Sequence, residues 1–574
     1  MSRVYTVADV EGLAVGESRA GLMLAPGDVI SPAALDVARE LGIAVQWGHG
    51  DIAVGSSAGG GSVVGVAGEL EQRILREVDE VLSEVPGGSV DEVVDRALRR
   101  LAERPVGVEG GTVTERLASF ITGWTAKGVP PDVTHETKRA ILNSLGASLA
   151  AYGHPVTEIL ESWVATEGIT CTDADHCRMA PVLWSGTLTL SEQAAMLSAA
   201  QMHVLDFDDT HIATYSHPTP QVFSAALAEG TVAGTSGRSL LDAVAIGMEV
   251  QLAVASMLFP SHYMRGFHIT STIGSIGAAA ACAAVMGLDR ERTAHALGIA
   301  MLSSGGLIEA VGTMSNAYDV GAAARSGAVA AQLAARGFGS ASTAYEGDKG
   351  LMASTSDETL EKAERVLANL GTKWELLTAN SYKFFPTETI TQAPLECALA
   401  IRSRTPEAKL HQVERFTYAV EPIVAEVCRT RPLRWGGVPQ TSIQAKFDLR
   451  FCVAAAWLRG RFTHHELSLE TVREQEVIDL RSRVDVESEE GALLQGARLE
   501  VTFADGSKDF EFVEAFTGSA ANPMSDTQLE AKLRDAAEGR LSPRRLDEVI
   551  EAVWVLDGFA HIGEFGRLLV ADRG

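Results

Sequence analysis

The sequence predicts a mainly α protein: a long run of helices, a smaller α/β segment beyond Lys383, and a separate module at the N-terminus. Three observations carry this. Alanine and glycine are abundant while aromatics make up 6% of 574 residues, which favours closely packed helices over a sandwich of short strands. Apolar residues recur at helical spacing from Val113 to about residue 370, with short connections between runs. Past Lys383 the texture changes: "VERFTYAV" at residues 413–420 alternates as a strand does, and residues 498–503 and 508–512 flank Ala504-Asp505-Gly506-Ser507, a hairpin signal.

In chain order, residues 1–47 read as a small α/β module. Residues 21–24 suit a strand and Pro26-Gly27-Asp28 a turn. Ser31-Pro32 matches an N-cap followed by proline at the first helical position, for a helix through Glu40 that stops at Gly42; residues 43–47 suit a second strand. Residues 48–66 are rich in Gly and Ser and read as a linker. Within 67–104, Leu70, Ile74, Leu75, Val78 and Val81 mark one amphipathic helix and Val90, Val93, Val94, Ala97 and Leu101 a second, separated by Pro86-Gly87-Gly88. Such a pair docks on its own body or on a partner, and the first is the commoner use of an amphipathic face. An all-helical domain is expected over 113–383, an α/β domain over 384–524, and helices again over 525–574.

The net charge of −27 offers no basic stripe for a nucleic acid, so an anionic substrate would need local cations. The six cysteines are scattered without a CxxC pair, which suggests neither a disulfide framework nor an iron–sulfur cluster and fits a reducing, cytoplasmic compartment. The first residues lack a long apolar stretch, and the apolar run near 278–286 is broken by Gly and charge, so neither a signal peptide nor a membrane span is expected. Cys171 with His176-Cys177 has ligand-type residues but not the spacing of a zinc site, and no metal is expected. "GSIGAAAA" lacks a preceding strand, so its small residues read as a close helix contact rather than a dinucleotide loop. Glu309, in an apolar stretch, reads as a buried polar group.

The densest chemistry lies in Asp206–Pro220, "DFDDTHIATYSHPTP", where three carboxylates, several hydroxyls and two histidines sit between Ala-rich apolar flanks. Such a polar knot is costly unless its groups are paired or used. Here and in "RGFHITSTIGSIGAAAACAAVMGLD", "GTMSNAYDVGAAARSGAVAAQLAARGF", "YEGDKGLM", "YKFFPTE" and "FDLRFCVAAAWLRGRF" the chain resembles, in order, the MmgE/PrpD family, which includes 2-methylcitrate dehydratase, cis-aconitate decarboxylase and iminodisuccinate epimerase. The resemblance implies a large helical domain with a smaller α/β lid, a homodimer, and a cofactor-free site in the interdomain cleft acting on small di- or tricarboxylic acids. The first hundred or so residues lie outside it. There, "PGDVISPAALDVARELGIAV" is similar to N-terminal segments of ethanolamine-utilisation proteins of bacterial microcompartments, which leaves a shell partner for residues 1–104 open.

By this resemblance His217 and His268 match active-site histidines, suited to proton transfer near neutral pH. Lys383 matches a substrate-contacting lysine, and Arg265 and Thr270 are carboxylate-binding candidates. Of the crowded carboxylates Asp206, Asp208 and Asp209, some are expected to cap a helix or orient His217; Asp206 and Thr210 are the choices for the site. His211 is less diagnostic, and His203 reads as a buried helix residue. The chain departs from the family at Asn316, where a lysine is usual, at Asp319 and Gln392, where a histidine is common, and at Phe451, aligned with an active-site tyrosine. Asn316 would meet substrate without a charge, with Arg325, Lys349 or Arg450 as possible replacements. The leading reading is a cofactor-independent hydro-lyase that removes a proton alpha to a carboxylate, with either histidine as base. A decarboxylase or epimerase on the same scaffold, and a binding protein that has lost the chemistry, are the alternatives.

Overall fold

The structure is a computed structural model that describes residues 4–5, 22–24, 29–30, 45–47, 111–166, 178–492 and 494–571. The chain divides into two units, Met1–Gly107 and Val108–Gly574. In the first, β1 (Val4–Tyr5) pairs in parallel with β3 (Val29–Ile30), and β2 (Leu22–Leu24) with β4 (Val45–Trp47). Two of these strands lie where the sequence suggested them. The helix expected from Ser31, the linker, the amphipathic pair and the Cys171–His176–Cys177 group lie outside the described residues.

The second unit is mainly helical, as expected. It opens with α1 (Val113–Lys127), whose Thr112 side chain accepts from Glu115 N–H while Glu115 reaches back, a capping box that fixes the start. Next come α2 (Pro131–Ala150), α3 (Pro155–Thr166), α4 (Ser191–His203), α5 (Thr219–Ala233), α6 (Gly237–Leu258), α7 (Ile269–Val285), α8 (Arg290–Leu302) and α9 (Ser315–Ala335). α7 is the axis, packed against α5, α6, α8 and α9 with every residue buried. A helix of small residues all round permits this, and the glycines require it. A Cβ on Gly277 would come 2.7 Å from Gln251 Cβ, and one on Gly327 of α9 would come 2.5 Å from Ala278 Cβ. α6 is long and apolar enough to cross a membrane, but 94% of its apolar window is buried in this body, the place of a core helix.

The α/β part holds a four-stranded sheet in the order β6 (Val484–Ser488), β5 (Val413–Val420), β7 (Ala497–Phe503), β8 (Lys508–Val513). The β5–β6 pair is parallel and the others antiparallel; the expected β7–β8 hairpin closes at Thr502↔Lys508. β6 escaped the sequence reading because "VDVES" offers only two apolar positions. Helices α10 (Gln392–Arg404) and α12 (Leu449–Arg459) pack on each other, and α10 covers β7 and β8, while α11 (Pro422–Thr430) lies against β6. The chain then returns to the helical body, where α13 (Asp526–Ala536) and α14 (Pro543–Trp554) pack on α2. Two apolar cores result, one among the long helices and one around Phe416, Tyr418, Phe451 and Trp457. Polar segments meet in a cavity walled by residues of both parts.

Candidate active site

The loop after α4 builds the polar wall of that cavity. α4 ends at His203, and Asp206 turns the chain with φ of +52°, a left-handed conformation unusual for a residue with a Cβ. Tyr215 repeats this at +57°. Both line the cavity, where such strain persists because surrounding contacts over-determine it. Between them Thr210–His211 pairs antiparallel with Asn380–Ser381, which carries Lys383 alongside Asp206.

The three carboxylates divide the work. Asp209 holds the start of α5: it accepts from Thr219 N–H at 3.3 Å, Thr219 Oγ1–H at 2.6 Å and Asn380 Nδ2–H at 2.8 Å. Burial pushes its pKa up to about 6 against those donors. Asp208 faces two imidazoles. His203 Nδ1–H donates to its Oδ2 at 2.9 Å, and His217 Nδ1 lies 3.2 Å from the same oxygen and 3.3 Å from Thr210 Oγ1. Burial opposes its charge, yet the two histidines hold it well below the usual carboxylate range. Asp206 takes Lys383, whose Nζ–H bonds reach its carbonyl at 2.8 Å and its Oδ1 at 2.5 Å. Here too burial would raise the carboxyl, but Lys383, His217 and Lys446 keep it down at about 2.

The histidines form a row: the His203 ring centroid is 4.9 Å from that of His217 and 6.1 Å from that of His268. Their partners differ. His203 Nε2 accepts from Asn316 Nδ2–H at 3.1 Å, so both its nitrogens are engaged, and burial lowers its pKa despite Asp208. His217 has Nδ1 turned to Asp208 and Nε2 left 3.6 Å from Asp206 Oδ1, while its backbone N–H donates to Thr270 Oγ1 at 3.2 Å. His268, just before α7, has Nδ1 3.0 Å from Asp319 Oδ2. Burial works to lower its pKa, but Asp319, then Asp206 and Asp208, outweigh that and raise it. The backbone that seats it needs a glycine: His268 N–H donates to Gly306 O, and at Gly306 (φ +120°) a Cβ would overlap Ser271 Oγ.

Of the sequence candidates, Asp206, Thr210, His217, His268, Asn316 and Lys383 line one cavity of about 160 Å³. Thr270 stands behind the wall, supporting His217. Arg265 does not reach the cavity: its side chain is 38% exposed and pairs with Asp357. Nor do Arg325, Lys349 and Arg450 line it; Arg450 instead donates to the carbonyls of Cys428 and Val484. Phe451 is buried in the second core; the aromatics that line the cavity are Tyr215, Tyr263 and Phe447, the last in the turn just before α12. Glu309 is 81% exposed and pairs with Arg434, not a buried group. Gln392 clamps the loop after Lys383, accepting from the N–H of Phe384 and Phe385 at 3.0 Å and donating to Phe385 O.

Sequence reasoning missed Arg431 and Glu388, which pair across the cavity lining, and gave His203 too small a part. Glu388 ends the "YKFFPTE" block, but nothing local marks Arg431, 43 residues away. Two buried lysines behind the wall also went unread. Lys446 donates to Val204 O at 2.7 Å, and burial lowers its pKa to about 8. Lys532 donates to Asn143 Oδ1, Phe207 O and Lys383 O, with burial holding its pKa well below the ordinary lysine value.

Ligand-type atoms of His203, Asp206, Asp208 and His217 fall within 4.8 Å of one another, a spacing a metal ion could use. The donors are otherwise committed. The Lys383 ammonium is the cation at Asp206, and both imidazoles address Asp208 through Nδ1, so the set fits an internal proton network better than a metal centre.

Two family domains match the chain. Residues 115–363 match the MmgE/PrpD N-terminal domain and residues 385–557 the MmgE/PrpD C-terminal domain. The chain is 26% identical over 475 residues to a cis-aconitate decarboxylase of Mus musculus, covering 80% of this chain and 93% of that one. It is 26% identical over 461 residues to the Homo sapiens protein of that name, covering 77% and 91%, and 25% identical over 484 residues to one of Aspergillus terreus, covering 80% and 96%. The matched domains span well over half of the sequence and contain the cavity-lining residues other than Lys383, which lies between them, so the chain belongs to the MmgE/PrpD family.

Proposed function

We propose that the chain is a cofactor-independent lyase that eliminates water from a small hydroxy acid by removing a proton alpha to a carboxylate. The observation that carries this is the unequal pairing of two histidines on one cavity. Asp319 favours the imidazolium of His268, whereas Asp208 draws Nδ1–H of His217 and leaves its Nε2 lone pair for the substrate. His217 Nε2 takes the alpha proton, the C–H electrons form the double bond, the C–O bond breaks, and His268 protonates the departing hydroxyl to give water.

Lys383 spends two of its three N–H bonds on Asp206, and the third suits a substrate carboxylate on which negative charge grows as the proton leaves. Thr210, 3.3 Å from His217 Nδ1, helps fix that ring. Asn316 lines the cavity with a buried Oδ1 that has no hydrogen-bond partner among the described residues, an acceptor that suits a hydroxyl better than a carboxylate. The names of the curated relatives favour a second reading, decarboxylation, in which His268 protonates the carbon that has lost CO2.

Incubating the purified full chain with malate, citramalate, citrate, 2-methylcitrate and cis-aconitate separates the two. Ultraviolet absorbance of a new conjugated acid, lost in His217→Ala and His268→Ala, is the expected result. CO2 release without dehydration moves the assignment to the second reading. Folded protein that turns over none of these acids sinks both.

A further inference from the structure

We infer that the acid taken by this site carries an apolar tail of several carbons beyond its reacting end, and that this tail lies along α11. The inference rests on the acid-processing reading above and narrows its substrate class. The cavity has two unlike halves. The first is the wall of histidines, Asp206, Asn316 and Lys383. The second is richer in apolar side chains, Ile308, Val311, Ile390, Ile423, Val427 and Phe447, with the paired Glu388 and Arg431 among them. On α11, Ile423 and Val427 are one helical turn apart and Val424 lies beside them, so one face of the helix presents three aliphatic side chains to the space. Ile423 is 40% exposed, an apolar surface left wet that an apolar occupant would dry.

Charge leads to the same conclusion. Among the described residues lining the cavity the lysine and arginine are Lys383 and Arg431, and each already faces a carboxylate, Asp206 and Glu388 respectively. These four side chains sum to no net charge. Asn316 adds none where the family usually has a lysine. A tricarboxylate would bring three negative charges into a space whose lysine and arginine are already paired with carboxylates. An acid whose carboxylate meets Lys383 and whose alkyl part meets α11 satisfies both halves. At roughly 10–15 Å³ per water, about 160 Å³ has room for about 11–16 waters, enough for such a tail.

The test is a binding series on the full chain, so it does not depend on turnover. Calorimetry with succinate and its 2-methyl, 2-propyl and 2-butyl derivatives, saturated acids that cannot react, should show affinity rising about fourfold per methylene. Propane-1,2,3-tricarboxylate should bind more weakly than 2-butylsuccinate. Val427→Thr, nearly isosteric and therefore expected to fold, should flatten the rise with chain length. Equal affinity along the series, tighter binding of the tricarboxylate, or an unchanged slope in Val427→Thr would each overturn the tail site while leaving an acid site in place. If no acid binds at all, the acid-processing reading falls with it.

Discussion

The two sides of the cavity that carry the chemistry have different relations to the family pattern. The loop from Asp206 to Pro220 keeps the expected groups, and its three carboxylates are all engaged, with Asp209 holding α5, Asp208 aligning two imidazoles, and Asp206 seating Lys383. The adjoining stretch, at the start of α9 and after Lys383, is altered at Asn316, Asp319 and Gln392. Yet it is no less ordered. Asn316 donates to His203, Asp319 faces His268, and Gln392 clamps the Phe384–Phe385 backbone. Residues that look like losses beside a family pattern are here recruited into hydrogen bonds around the same cavity, so the two histidines proposed for proton transfer are kept while a lysine is replaced by Asn316.

The comparison can be broken most severely at Lys383. Lys383→Met leaves Asp206 as a buried carboxylate without its cation, a loss of about 3–5 kcal/mol that urea unfolding would read, together with abolished turnover. Lys383→Met with Asp206→Asn should recover most of the stability and none of the activity. A single substitution as stable as the parent would show that the intact side does not anchor the fold around it.

On the altered side, Asp319→Asn should lower activity about 10–100-fold at pH 8 and far less at pH 6. Asp319 raises the His268 pKa, so the imidazolium persists to higher pH; without it the alkaline limb of the pH–rate profile moves toward lower pH. The same interaction stabilises the fold fully below the unfolded histidine value and is lost as pH rises through the folded one. The stability difference between parent and variant should therefore shrink on the alkaline side. A pH–rate profile unmoved by the substitution would remove His268 as the acid.

Smaller effects sharpen the contrast. Asn316→Lys restores a cation beside the histidines and should tighten tricarboxylate binding about tenfold, measured by calorimetry. Arg265→Ala should change kcat/KM by less than about twofold and stability by less than about 0.5 kcal/mol, because its pair with Asp357 lies in solvent. A tenfold loss there would return Arg265 to the site.

What could be read from the sequence follows the distance over which it was encoded. The polar knot announced itself because its carboxylates and histidines fall within fifteen residues, and the helices because their apolar faces repeat locally. Side-chain direction was harder. Arg265 and His268 are three residues apart, but one points to solvent and the other to the cavity. Phe447 and Phe451 are four residues apart, on either side of the start of α12, and only packing decides which lines the cavity. The Arg431–Glu388 pair joins separate segments that no local pattern links. His203, with the look of a core residue, acquires its role only through Asp208 and Asn316.

Lys532 gives the site a place in the order of synthesis. Its ammonium on α13 ties Asn143 of α2, the carbonyl of Phe207 beside Asp206, and the carbonyl of Lys383, across sequence separations of 389, 325 and 149 residues. Every group that lines the cavity has therefore been synthesised before Lys532 is added. A nascent chain holds the complete chemistry without its clasp, and the last helices set the moment at which the enzyme can first come into being.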